Sequence, residues 1–163
     1  MTTRTIGGAL LLLPVALLLG LQQSPRPARD AHGTFTGDIK PVLYVSDVEA
    51  SAAFFEETLG FGLEGFSDRS DGSPYYAEMT AGDRKFGLHE PTQPGQGSRV
   101  GEARLYFRVL DLEAHRERLA GRGAEPSEIL ETDWMDMCIV RDPDGHEIVF
   151  AVTDPDRHGM DPW

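Results

Sequence analysis

Two six-residue strings, VSDVEA (Val45 to Ala50) and VLDLEA (Val109 to Ala114), stand 64 positions apart in this chain, and their surroundings repeat with them. Each follows an alternating run, IKPVLYV in one case and ARLYFRV in the other, and each opens a helical stretch. The helices are expected over Val48 to Thr58, ending at Leu59-Gly60, and over Leu112 to Ala120, ending at Gly121, since glycine is a common helix stop. Asp47 and Asp111 stand where a short carboxylate caps the free amides of a first helical turn. Strand candidates follow in both halves: Gly62 to Phe66, Tyr75 to Thr80 and Lys85 to His89, then Glu128 to Glu131, Met137 to Arg141 and Glu147 to Val152. Both halves read β-α-β-β-β. Two copies of one supersecondary unit predict a single core to which both contribute.

Around this repeat the chain has three further parts. Arg4 precedes an apolar run from Ala9 to Leu21, and a polar, proline-rich stretch follows. That order is the pattern of a secretory signal, and the run is shorter than the roughly 20 residues a membrane span needs. Residues 1–31 are therefore expected to be a signal peptide. An uncleaved anchor is the alternative, because a cut after Ala31 or Ala28 would leave arginine three residues back. Residues 32–38 form a short extension, 39–153 the globular domain with modules 39–90 and 102–153, and 154–163 a tail. The Pro- and Gly-containing stretch 91–101 links the modules. The expected location is periplasmic or secreted, with membrane contact only through an uncleaved N-terminus.

The formal net charge is −12. Loss of residues 1–31 would remove Arg4, Arg26, Arg29 and Asp30 and make the body more acidic still, so phosphate backbones and anionic lipid are repelled. Nucleic acid is not an expected partner. The single cysteine, Cys138, has no partner for an internal disulfide and sits in an apolar strand, the setting of a buried, inert thiol. Ser46, Ser51 and Cys138 lack a recognisable catalytic base.

The duplicated pattern, with YVSDVEASAAFFEETLGF opening one half and DPDGHEIVF closing the other, resembles the vicinal oxygen chelate superfamily. That superfamily includes glyoxalase I, extradiol dioxygenases and bleomycin-binding resistance proteins. The resemblance covers about Ile39 to Thr153. It implies an α+β fold in which two βαβββ modules form one curved mixed sheet, helices outside and a cup-shaped cavity inside. In metal-dependent members the first and last strand of each half supply one ligand apiece. Period-two alternation places the matching positions at Lys40, Gly87, Arg104 and Val149. Lysine and arginine carry protonated nitrogens and cannot serve a divalent ion, so no metal or other cofactor is expected.

Alternation sends Lys40, Tyr44, Arg104, Tyr106, Arg108, His89 and Glu147 to the cup, with Lys85 beside them. A basic and aromatic set of this kind suits a small anionic or aromatic molecule, held by arginine forks and ring faces. Tyr75, Tyr76, Trp134, Met135 and Met137 are expected to wall the same cavity. The alternative is that the cationic heads pair with Glu78, Glu147 or Glu102. The resemblance to bleomycin-resistance proteins implies binding rather than turnover, and a homodimer. A rival reading is a lyase or dioxygenase whose divalent metal is held by displaced ligands, His89, Glu90, His146 and Glu147. His146, just after the DPDG turn, is expected to be a solvated side chain at a strand start.

Overall fold

Asp47 and Asp111 adopt the same extended geometry, φ −142° and ψ 110° against φ −141° and ψ 107°, and each carboxylate accepts from the amide three residues on. These caps start α1 (Val48–Ala53) and α2 (Leu112–Gly121). The structure, a computed structural model, describes residues 39–158; the expected signal or anchor, the extension before Ile39 and residues 159–163 of the tail lie outside them. The chain divides into units 1–38 and 39–163, of which only the second is described.

The repeat slips by one residue inside the first helical segment. The two capping aspartates are 64 positions apart, but Gly60 (φ 82°) and Gly123 (φ 87°), the left-handed glycines beyond each helix, are 63 apart. The surplus residue is absorbed by widening Phe54–Leu59 into a π-helix, an irregularity invisible to a pattern read at 3.6 residues per turn. Within it Phe55 and Leu59 are buried.

The first module continues with β2 (Gly62–Asp68), β3 (Pro74–Ala81) and β4 (Arg84–His89), which join β1 (Val42–Tyr44) in the order β1-β4-β3-β2. The second has β5 (Arg104–Arg108), β6 (Leu130–Glu131), β7 (Asp136–Arg141) and β8 (Glu147–Val152), in the order β5-β8-β7-β6. In both, the first strand runs parallel to the last and the remaining pairs are antiparallel. The mixed sheet thus comes as two four-stranded halves, and each helix packs on its own half. Alternation decides which face is covered: Leu43, Val45, Phe86, Leu88, Ile148 and Phe150 belong to one core together with α1 and α2. Cys138 is buried there, and burial pushes its thiol up from the ordinary value.

Two joints make the halves one body. The first is aromatic. Phe61, just past the π-helix, has its ring 5.7 Å from Phe55 and 5.5 Å from Phe86 in its own module, and 4.7 Å from Phe107 and 6.2 Å from Phe150 in the other. Aromatic pairs at such spacings contribute about 0.5–1.5 kcal/mol beyond the area they bury.

The second joint corrects the expectation for His146. Its side chain is fully buried, not solvated. The DPDG turn is well made: the Gly145 amide (φ 95°) donates to the Asp142 carbonyl, and Asp142 Oδ1 accepts from the amides of Asp144 and His146. But this turn docks on the end of β1. His146 Nδ1 accepts from the Ala103 amide at 3.0 Å, and Nε2 lies 2.8 Å from the Tyr44 carbonyl oxygen and 3.2 Å from the Gly101 amide nitrogen. Alongside, the Asp144 carboxylate accepts from the Ser46 amide at 2.9 Å. Gly101 is indispensable to the fit: its φ is +78°, and a Cβ there would lie 2.2 Å from the Asp144 carbonyl oxygen. Strand parity describes residues within a sheet and is silent about what a turn meets across the module boundary, which is why the sequence reading missed this clasp.

Candidate functional site

The sheet face opposite the helices is the expected cup, and register arranges it in rows. In the first module Tyr44, His89 and Tyr76 lie abreast, followed by Val42, Gly87 and Glu78. In the second the corresponding rows are Arg108, Ala151 and Met137, then Tyr106, Val149 and Ile139, with Arg104, Glu147 and Arg141 beyond. Val149 and Ala151 are completely buried yet stand outside the main core cluster, as residues on the opposite face should.

The cations of this face are turned to carboxylates of the same face. Lys40 pairs with Glu78, which also accepts from the Tyr76 hydroxyl at 2.6 Å and lies 3.8 Å from Lys85, and the Lys40 ammonium is 5.1 Å from the centre of the Tyr76 ring. The bonds from Lys40 and Tyr76 hold the Glu78 carboxyl below the ordinary carboxylate value, and the Glu78 bond raises Lys40. Lys85 pairs with Glu64, the residue that the bulge in β2 leaves without a partner on β3. Arg104 lies 3.2 Å from Glu147, which Arg141 shares, and its guanidinium sits 5.3 Å from the Tyr106 ring centre. Arg108 is exposed at the end of β5. The charge on Lys40 and Arg104 is therefore largely compensated, and the pairings with Glu78 and Glu147 named as the alternative are both present.

Aromatic residues fill the first half. The His89 ring is met edge-on by Tyr44 at 5.9 Å, Tyr75 at 5.7 Å and Tyr76 at 6.0 Å. Tyr44 is held from the linker as well: Gln96 donates to its hydroxyl at 3.0 Å, while the same amide oxygen accepts from the backbone of Thr92 and Gln93. Of the expected wall, Tyr76 and Met137 are on the cup face; Trp134 stands 59% exposed on a turn that the Thr132 hydroxyl braces. Glu78, Ile139 and Arg141 are further cup residues, which period-two alternation along β3 and β7 from Tyr76 and Met137 reaches.

The four positions matching the family's metal ligands do not fit a divalent cation. Lys40 and Arg104 bring positive charge, Gly87 no donor and Val149 only methyl groups. At Gly87 the space itself is taken: a Cβ there would be 2.5 Å from Cε2 and 2.6 Å from the hydroxyl of Tyr76, whose ring lies across the glycine. The displaced set is not gathered either. Glu90 pairs with Arg69, Glu147 with two arginines, and His146 is the module clasp. Among the described residues no group of three His, Cys, Asp or Glu side chains is placed to hold a metal.

Residues 39–150 match the family model described as the Glyoxalase/Bleomycin resistance protein/Dioxygenase superfamily. Curated proteins give no match. Among solved structures, the chain is similar to TnmS3, an antibiotic binding protein from Streptomyces sp. CB03234, with a TM-score of 0.62, 24% identity, and coverage of 74% of this chain and 98% of that one. It is similar also to a bleomycin-binding protein from bleomycin-producing Streptomyces verticillus, solved with copper(II)-bleomycin, at a TM-score of 0.57, 25% identity and 72% and 96% coverage. A glyoxalase/bleomycin resistance protein from Streptomyces sp. CB03234 gives a TM-score of 0.54, 27% identity and 70% and 98% coverage.

Proposed function

Because the chain belongs to the Glyoxalase/Bleomycin resistance protein/Dioxygenase superfamily, we propose that it captures a small anionic or aromatic molecule on the cup face, without a metal and without turnover. The observation that carries this reading is the content of the four metal-ligand positions, Lys40, Gly87, Arg104 and Val149, on a face otherwise furnished with Tyr44, His89, Tyr76 and Tyr106. Rings and stems offer stacking area, and an anionic group on the guest would compete with Glu147 for Arg104, or with Glu78 for Lys40. Arg108 and Glu147 complete the proposed contact set. Similar structures described as antibiotic binding and bleomycin-binding support small-molecule capture.

The apolar run in residues 9–21 supports action outside the cytoplasm, and kinship with the family supports a homodimer. No helix among the described residues is long and apolar enough to cross a membrane. Mass spectrometry of the metals and small molecules that stay with the gently purified protein tests the proposal. A retained organic guest that survives chelator treatment is the expected result. A stoichiometric divalent metal, lost in His89→Ala, would replace this reading with the metal-dependent lyase or dioxygenase.

A further inference from the structure

The geometry points to His89 Nε2 as a hydrogen-bond acceptor that orients the guest, and hence to a guest that pairs a flat apolar body with an O–H or N–H donor, such as a hydroxylated aromatic ring system. This assignment rests on the capture reading above and gives it a chemical class.

The argument begins with the tautomer. His89 Nδ1 is at hydrogen-bonding distance from the carbonyl oxygen of Glu90. A carbonyl only accepts, so Nδ1 carries the proton and, in the neutral ring, the lone pair is on Nε2. Tyr44, Tyr75 and Tyr76 each meet the ring edge-on, at 5.9, 5.7 and 6.0 Å between centres. The hydroxyls of two of those tyrosines are already engaged, Tyr76 with Glu78 and Tyr44 with Gln96. His89 is half-buried, and its register between Tyr44 and Tyr76 puts it on the cup face. An acceptor presented from a partly dehydrated aromatic setting discriminates by what it leaves unpaired: a guest without a donor strands the lone pair.

The second module supplies the complementary surface. At the register of Glu78 and Tyr76 it holds the half-buried Ile139 and Met137, with Tyr106 41% exposed; Ala151, at the register of His89, and Val149 are fully buried and offer no surface themselves. No imidazole or carboxylate stands in those two rows, where the Tyr106 hydroxyl both donates and accepts. A guest meeting both modules would lay its apolar area on Tyr106 and Ile139 and present its donor to His89.

Two commercial probes of nearly equal apolar area isolate the donor: 2-naphthol and 2-methoxynaphthalene, titrated into the full chain by calorimetry or by quenching of tryptophan fluorescence. The expected result is about five- to tenfold tighter binding of 2-naphthol, the worth of one well-made hydrogen bond. That ratio falls to about one in His89→Ala. In the wild-type protein the Nε2 nitrogen resonance shifts on addition of 2-naphthol and not of the methyl ether, a readout that needs no variant to fold. Equal affinity for both probes, or a ratio unchanged in His89→Ala, overturns the role of His89 and leaves the capture reading standing. Binding of neither probe, together with no organic guest recovered from the purified protein, overturns both.

Discussion

Where the first module sets Tyr76, Glu78 and His89 on the cup face, the second sets Met137, Ile139 and Ala151 at the same register. The strand order is shared and the two copies cap their helices with nearly the same dihedral angles, although the seven-residue β2 of the first corresponds to a two-residue β6 in the second. Their turns diverge as well. The first module joins β3 to β4 through Gly82 and an exposed Asp83, whereas the second replaces this with the DPDG turn and the buried clasp of His146. Duplication thus fixes which positions face the cup and leaves their chemistry free: the inner positions are polar and aromatic in the first half and apolar in the second, where the charged residues Arg104, Arg108, Arg141 and Glu147 stand around them.

The largest effect should come where the halves share a core. Phe150→Ala, which removes a buried ring that contacts Phe61 and Phe107, should destabilise by about 3–5 kcal/mol. Urea unfolding followed by tryptophan fluorescence and by far-ultraviolet circular dichroism should still give one coincident transition. Two separate transitions would mean that the modules are independent domains.

Next come the turns. His146→Ala strands the Tyr44 carbonyl and the Ala103 amide and should cost about 2–4 kcal/mol, while Arg84→Ala, at the start of the exposed first hairpin's return strand, should leave the denaturation midpoint almost unchanged. Gly101→Ala and Gly82→Ala sharpen the contrast, since both glycines have positive φ. Gly82→Ala meets nothing within 4 Å and should cost only the backbone penalty of about 1–2 kcal/mol. Gly101→Ala adds a collision with the backbone of Asp144 and should cost clearly more. Equal losses for the two would remove the clasp from the account.

The smallest effects are in pH dependence, where the modules should slope in opposite directions. Lys40 and Tyr76 depress Glu78 in the folded protein, so its contribution is present above the unfolded carboxylate value and is lost as pH falls through the lower folded value. Burial raises Asp142, whose Oδ2 has no hydrogen-bond partner, so the folded state holds that proton more tightly and stability is lost as pH rises through the raised value. Urea midpoints measured against pH should flatten on the acid side in Glu78→Gln. In Asp142→Asn, which keeps the Oδ1 acceptor for Asp144 and His146, they should flatten where pH rises past the ordinary aspartate range.

Much of this was legible in the chain because β-structure encodes facing in a two-residue period. Alternation in IKPVLYV and ARLYFRV puts Leu43 and Val45 in the core, as found, and assigns Lys40, Tyr44, Arg104 and Tyr106 to the other face. The capping aspartates and the stop glycine after Leu59 marked the helices in the same local way. What escaped detection depends on contacts between distant residues. The π-helix answers a length mismatch of one residue against the fold, the ion pairs of Lys40 and Arg104 depend on which carboxylates register brings beside them, and the burial of His146 depends on a surface belonging to the other module.

The central claim is that one guest is shared between a polar row of the first module and an apolar row of the second. Amide chemical-shift mapping of the folded chain with 2-naphthol tests it most directly. The account predicts the largest shifts at Gly87 and His89 together with Ile139, Val149 and Ala151. Shifts confined to one module, or gathered instead at the cleft beside α2 lined by Glu113, Arg116 and Glu128, would contradict it.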